Sequence, residues 1–166
     1  TELKSNTISM RLVEKKDAEF VLGLRLDQKY NKHLSLVDND LQKQIQWINE
    51  YKKEEESGIQ YYFIIEANGN RCGTVRLYDF QGESFCWGSW ILNEDKTRYA
   101  AVESALLVYR FGFEQLKFKK SHFDVRKENV GVVNFHKKFG AKIVDQDNEN
   151  FYFIYGYEQY RDSLKR

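Results

Sequence analysis

Hydrophobic positions along the chain recur with two periods, near two and near 3.6 residues, and the changes of period outline the elements. From Thr7 to Val13 the residues alternate, with Ile8, Met10 and Leu12 on one face, which predicts a first strand. Lys16 to Leu26 places Phe20, Leu22, Leu24 and Leu26 in a helix-permissive pattern, and Asp27 to Val37 has few apolar anchors and reads as loop. Asp38 is a candidate N-cap for a helix with the stripe Leu41, Ile45, Ile48 and Tyr51, which ends in a charged run over 52–56. Gln60 to Glu66 and Cys72 to Asp79 read as strands joined by Asn68 and Gly69, the two-residue hairpin signal.

The centre of the chain runs from Phe85 to Gly140. Phe85 to Leu92 is an apolar strand followed by a polar turn over 93–98. Tyr99 to Leu116 has helical spacing, with Val102, Leu106, Tyr109, Phe113 and Leu116 on one stripe and Glu103, Arg110, Glu114 and Lys117 opposite. Ser121 to Arg126 is strand-like, and Asn129 to Phe139 is helical and stops at Gly140. Strand, helix and strand in this order predict a right-handed crossover between parallel strands. The helix then opens beyond the end of the first strand, a geometry suited to a phosphate. Ala141 to Val144 and Phe151 to Tyr157 read as two last strands around a polar loop, with a final helical turn after Tyr157.

Composition narrows the function classes. The chain has 166 residues, 26 Lys plus Arg against 25 Asp plus Glu, and a formal net charge of +1. One domain over 1–166 is expected, burying roughly 70% of its unfolded surface without a metal or disulfide. The charge balance gives no support to a nucleic-acid partner. No apolar run reaches the length of a membrane span, so no membrane partner is expected. Cys72 and Cys86 fall inside predicted strands and read as reduced core thiols of a cytoplasmic protein. Aromatic residues are 16%, which fits either a ring-lined cleft or a large aromatic core.

The element order resembles the GNAT acyl-CoA-dependent N-acetyltransferases over nearly the full chain. The sharpest match is the run from Asn129 through His136 and Lys138 to Gly140, with Val132 at the family's small-residue position and His136 at its usual Tyr position. The family's pyrophosphate loop corresponds to Lys96 through Ala101, with Tyr99 where a glycine is usual. Leu106 to Leu116, with the following run from His122 to Arg126, resembles the branch that includes ribosomal-protein and amino-sugar acetyltransferases. The resemblance implies an α/β (α+β) fold: a mixed, mostly antiparallel sheet with helices on both faces. It also implies a central splay between the parallel strands Phe85–Leu92 and Ser121–Arg126.

The same resemblance implies a donor, acetyl-CoA, as co-substrate, and no metal. Pantetheine is expected along Trp90, Ile91 and Leu92, and the pyrophosphate on the amides of Arg98, Tyr99, Ala100, Ala101 and Val102, with Asn129 near the cofactor arm. Ala100 and Ala101 are small enough for close approach, whereas Tyr99 must turn its ring away. Acyl transfer to an ammonium needs one proton removed from nitrogen and one given to the thiolate. His136 is the candidate acid. Asp124, Glu83 and Asp79 are the candidate bases. Arg25, Tyr30, Asn31, His33 and Arg76 are expected on the acceptor side, the arginines suiting a nucleotide-sugar diphosphate or an acidic peptide. The expected partner is a small-molecule amine, and the expected assembly a monomer or homodimer. Three functions follow: acetyl transfer to an amine such as an amino sugar on a nucleotide carrier, acetylation of protein N-termini, or non-catalytic acyl-CoA binding.

Overall fold

In the computed structural model, which describes residues 2–32 and 37–165, eight strands run in the order β1-β2-β3-β4-β5-β6-β8-β7. They are β1 Glu2–Lys4, β2 Ser9–Leu12, β3 Tyr61–Ala67, β4 Asn70–Gln81, β5 Ser84–Leu92, β6 Lys120–Arg126, β7 Lys142–Gln146 and β8 Asn150–Gly156. The helices are α1 Ala18–Leu26, α2 Leu41–Glu56, α3 Ala100–Arg110, α4 Val130–Phe139 and α5 Tyr157–Ser163. β5 and β6 are the parallel pair, while β1/β2, β2/β3, β3/β4, β6/β8 and β7/β8 are antiparallel. The mixed, mostly antiparallel α/β fold expected from the sequence is therefore observed.

The chain groups into two compact units, Thr1–Tyr78 with Gly88–Val108, and Asp79–Trp87 with Tyr109–Arg166. In the first, α1 and α2 close over β3 through Val13, Ala18, Val21, Ile48, Tyr51, Tyr62 and Ile64. Tyr51 ties this core to the sheet, its hydroxyl accepting from the Tyr62 amide at 2.7 Å. Asn68 and Gly69 both take positive φ, 53° and 80°, as the hairpin signal requires. The cap of α2 is Asp40 rather than Asp38: its carboxylate accepts from the Lys43 amide at 3.2 Å, and Asp38 instead pairs with the Lys43 ammonium. β1 carries only three residues, too few for periodicity to reveal.

The second unit is built around rings. Phe85, Tyr109, Phe113, Phe123, Phe153 and Tyr155 are all buried. Tyr109 stacks on Phe113, and Phe123 on Phe153. The aromatic content is thus largely core. Helix α3 does not continue to Leu116; it widens into a π-type turn over Phe111–Gln115, with the Leu116 amide reaching back to the Phe111 carbonyl. Gly112 is required there, since a Cβ would come within 2.4 Å of the Phe85 ring. Cys72 and Cys86 are buried and not joined in a disulfide, as expected, and burial pushes the Cys72 thiol up to about 11.

Candidate active site

In the first unit, β5 bends shortly before it ends. Ser89 sits at φ 49°, a conformation side chains rarely adopt, and its carbonyl accepts the Thr74 hydroxyl at 2.9 Å. Glycine at 73 lets β4 approach β5 here, because a Cβ would lie 2.2 Å from the Ile91 carbonyl oxygen. Trp90 is half-buried and donates its indole N–H to the Ser104 hydroxyl at 3.0 Å, Ile91 is buried and Leu92 partly so. The turn that follows is organised by Asn93, whose side-chain oxygen accepts the Asp95 amide at 2.8 Å and whose own amide reaches the Cys72 carbonyl at 2.8 Å.

Helix α3 opens directly after this turn. Its first i to i−4 bond runs from the Glu103 amide to the Tyr99 carbonyl at 2.9 Å, so the amides of Ala101 and Val102 precede the helical ladder. Tyr99 is 57% exposed, and Arg98 lies over its ring at 5.3 Å. The ring is turned away from the core. Ala100 is buried, Ala101 half-buried and Val102 exposed. Glu103, which the periodicity put on the solvent face, is instead buried. Its carboxylate accepts the Thr7 amide at 2.7 Å and also the Thr7 hydroxyl, which meets the Thr97 hydroxyl at 2.7 Å. Burial alone would raise this carboxyl, but the donors from Thr7 outweigh it and hold it below its usual value. Val102, in turn, lies outside the buried stripe where the periodicity had placed it.

Four residues expected on the acceptor side, Arg25, Tyr30, Asn31 and Arg76, belong to this unit. Arg25 is half-buried in the last turn of α1. Tyr30 donates to Glu94 at 2.8 Å, which ties its segment to the turn after β5, and the Asn31 amide reaches the Asp27 carbonyl. Arg76 lies over the Tyr78 ring at 4.2 Å and near Tyr62 at 5.9 Å. Its Nη1 reaches Gln60 at 3.4 Å, and its buried Nε has no hydrogen-bond partner among the described residues. His33 lies outside the described residues.

In the second unit, the β5/β6 ladder comprises two pairs among the described residues, Ser84↔Lys120 and Phe85↔Ser121. His136, on α4, is 4% exposed and ringed by Phe123 at 4.4 Å, Trp87 at 5.4 Å, and Phe135 and Phe153 at 5.6 Å. Burial lowers its pKa to about 4, so the ring is neutral at neutral pH. Asp124 is exposed on β6 opposite Tyr152. Glu83 is a surface carboxylate paired with Lys119 at 3.4 Å. Asn129 occupies the N-cap position of α4 without a side-chain cap bond.

One constellation was not legible in the sequence. His122 Nε2 lies 3.0 Å from an Asp79 carboxylate oxygen, and its Nδ1 lies 2.5 Å from the Ser84 hydroxyl. Asp79 sits at φ 50° and also receives both Gln81 contacts, at 2.8 and 2.9 Å. The Gln81 amide and the imidazole hold the Asp79 carboxyl below its usual value. The available signal was alternation along β6: Ser121, Phe123 and Val125 are buried, leaving His122, Asp124 and Arg126 on the other face.

Comparison with known proteins gives this arrangement a family. A model of the Acetyltransferase (GNAT) domain matches residues 7–142. A search of curated proteins returns no match. Among solved structures, the chain is 50% identical to apo FdhC, described as a nucleotide-linked sugar GNAT, with a TM-score of 0.93 over 99% of this chain and 95% of that one. The fold alone is shared with a Vibrio cholerae spermidine N-acetyltransferase in complex with CoA and spermine, at 15% identity, TM-score 0.81 and coverage of 95% and 99%. The same holds for the Vibrio fischeri ribosomal-protein-S5-alanine acetyltransferase, at 9% identity, TM-score 0.81 and coverage of 94% and 96%. On the domain match and the identity along almost its whole length, the chain belongs to the GNAT family of acetyltransferases.

Proposed function

We propose that this protein transfers the acetyl group of acetyl-CoA to the amine of an amino sugar carried on a nucleotide. The observation that carries the reading is the 50% identity with the nucleotide-linked sugar GNAT over 99% of the chain. The local chemistry supports the donor half. The amides of Ala101 and Val102, the exposed Arg98 guanidinium and the positive end of α3 form an anion cradle for the pyrophosphate, with no Cβ larger than alanine's at 100 and 101. Trp90, Ile91 and Leu92 offer strand backbone for the pantetheine amides. Acetyl-CoA supplies the activated acyl carbonyl.

On the acceptor side, Arg76 supports a nucleotide carrier. Its guanidinium is held flat by Tyr78 and keeps a buried N–H without a partner among the described residues, a donor suited to a phosphate oxygen. Arg25 is the second cation proposed for the diphosphate, and Tyr30 and Asn31 are proposed to border the sugar. The buried, neutral state of His136 favours packing over proton donation.

The test is release of CoA thiol from acetyl-CoA with UDP-linked glucosamine, free glucosamine, spermidine and an alanyl peptide as acceptors. Turnover with the nucleotide-linked sugar, and loss of it on Arg76→Met, is the expected result. Turnover with the free amines or the peptide alone would remove the nucleotide carrier from the proposal.

A further inference from the structure

We infer that Glu103 is a positioning residue for the donor: through Thr7 and Thr97 it fixes the start of α3, which is proposed above to hold the pyrophosphate of acetyl-CoA. The inference rests on that reading and adds to it the residue that sets the shape of the anion cradle. It is carried by one bracket of hydrogen bonds. The Glu103 carboxylate accepts the Thr7 amide at 2.7 Å and also the Thr7 hydroxyl, and that hydroxyl meets the Thr97 hydroxyl at 2.7 Å. Residues 97 and 103 stand on either side of 98–102, the stretch proposed for the pyrophosphate. A single threonine, 90 positions from one and 96 from the other, ties both ends.

The protonation states give the bracket a direction. Burial pushes the Glu103 carboxyl up, and the donors from Thr7, Ser5 and Asn6 bring it below its usual value, so it is ionised at neutral pH. An ionised carboxylate only accepts, so the Thr7 hydroxyl gives its proton to that bond and the Thr97 hydroxyl donates to Thr7. Backbone bonds complete the loop: the Ala100 amide reaches the Thr97 carbonyl at 3.2 Å, and the Glu103 amide the Tyr99 carbonyl at 2.9 Å. The bracket is footed on the sheet. Thr7 lies in the turn that joins β1 to β2, where the Ser5 amide reaches the Ile8 carbonyl at 2.9 Å, and β2 pairs with β3 from Ser9 to Leu12.

The cradle has use for such a brace. The amides of Ala101 and Val102 precede the first i to i−4 bond of α3, so the helical ladder does not hold them. A backbone anion site binds well when its N–H groups are aimed before the anion arrives, because ordering them on binding is subtracted from the affinity. Glu94 and Asp95, in the turn before α3, are exposed, whereas Glu103 is buried. An apolar side chain could fill the same space without the cost of burying a charge. The carboxylate adds something an apolar group cannot: it sets where the turn leaving β5 stands against the helix that follows. On charge alone, Glu103 opposes the ligand, since an anion in the first turn repels a pyrophosphate bound there.

Calorimetric titration of CoA into the full chain tests this, with the kinetics of acetyl transfer beside it. Glu103→Gln keeps the size of the side chain but loses the charge and one accepting oxygen, and CoA affinity is expected to fall about tenfold or more. Loss of charge by itself would tighten binding, so the sign separates the two effects. Thr97→Val cuts the hydroxyl bridge and is expected to weaken CoA about fivefold, whereas Thr97→Ser keeps the bridge and should stay within about twofold of wild type. In turnover the loss should appear as a higher KM for acetyl-CoA, with kcat and the KM of the amine changed by less than about twofold. A merely structural tie between α3 and the β1–β2 turn would lower the melting temperature and leave the CoA affinity of the folded protein as it was. Should Glu103→Gln fail to fold, the two Thr97 variants, at a half-buried position, decide alone. CoA affinity within about twofold of wild type in either Glu103→Gln or Thr97→Val, or tighter in Glu103→Gln, overturns the inference and leaves the donor reading standing. So does a Thr97→Ser variant as weak as Thr97→Val. A wild type that does not bind CoA overturns both. The titration needs no acceptor, so it decides the role of Glu103 whichever amine is acetylated.

Discussion

His122 and His136 belong to the same unit, and the structure treats them in opposite ways. His136 is enclosed by four aromatic rings, and burial drives its pKa down to about 4. His122 is pinned at both nitrogens by a carboxylate and a hydroxyl and keeps part of its side chain in solvent. The contrast follows the two faces of β6. One face, Ser121, Phe123 and Val125, is core; the other, His122, Asp124 and Arg126, is polar. Residue type alone therefore says little about a histidine's surroundings: one imidazole is packed among rings, and the other is held by a carboxylate and a hydroxyl.

The sharpest test of the packed face is Phe123→Ala. Phe123 stacks on Phe153 and touches both Trp87 and His136, so its removal should cost about 3 to 5 kcal/mol in a urea melt. A loss below about 1 kcal/mol would mean that this face is not the core described here.

His136 gives the next effect, in the pH dependence of stability. Its folded pKa, about 4, lies below the unfolded value near 6.5, so the unfolded chain binds the proton first. Stability should therefore fall as pH drops from about 6.5 toward 4, by about 3 kcal/mol from this group alone. His136→Phe, of similar volume and without a proton to gain, should flatten that slope while changing stability at pH 7 by less than about 1.5 kcal/mol. An unaltered slope would break the contrast between the two rings.

For the polar face, His122→Gln removes the ring that joins Asp79 to Ser84 and should cost about 1 to 2 kcal/mol in a urea melt. The smallest effect belongs to Asp124→Ala, an exposed carboxylate with a tyrosine opposite, for which a shift in stability within about 0.5 kcal/mol is expected.

Much of this was readable from the chain. The alternation at Ser9–Leu12, the hairpin at Asn68 and Gly69 and the stop at Gly140, with φ 116°, are local preferences that the fold keeps. Tyr99 is exposed, and Arg98 beside it faces solvent as well. Glu103 was misplaced because a charged residue was assigned to solvent, whereas the Thr7 amide and hydroxyl make its burial favourable. Asp38 gave way to Asp40 because only the latter reaches the first free amides of α2. Trp47, on the outer side of α2, is 38% exposed and stacks on Tyr51.

By itself the sequence determined the element types, the crossover and the family, because periodicity and turn chemistry are properties of neighbouring residues. Only the tertiary structure decided which histidine meets a carboxylate. Asp79 is 43 positions and Ser84 38 positions from His122, and no local pattern links them. Strand register brings Ser84 to the start of β6, and the left-handed turn of the chain at Asp79 aims the carboxylate at the ring, a geometry that exists only once the strands have paired.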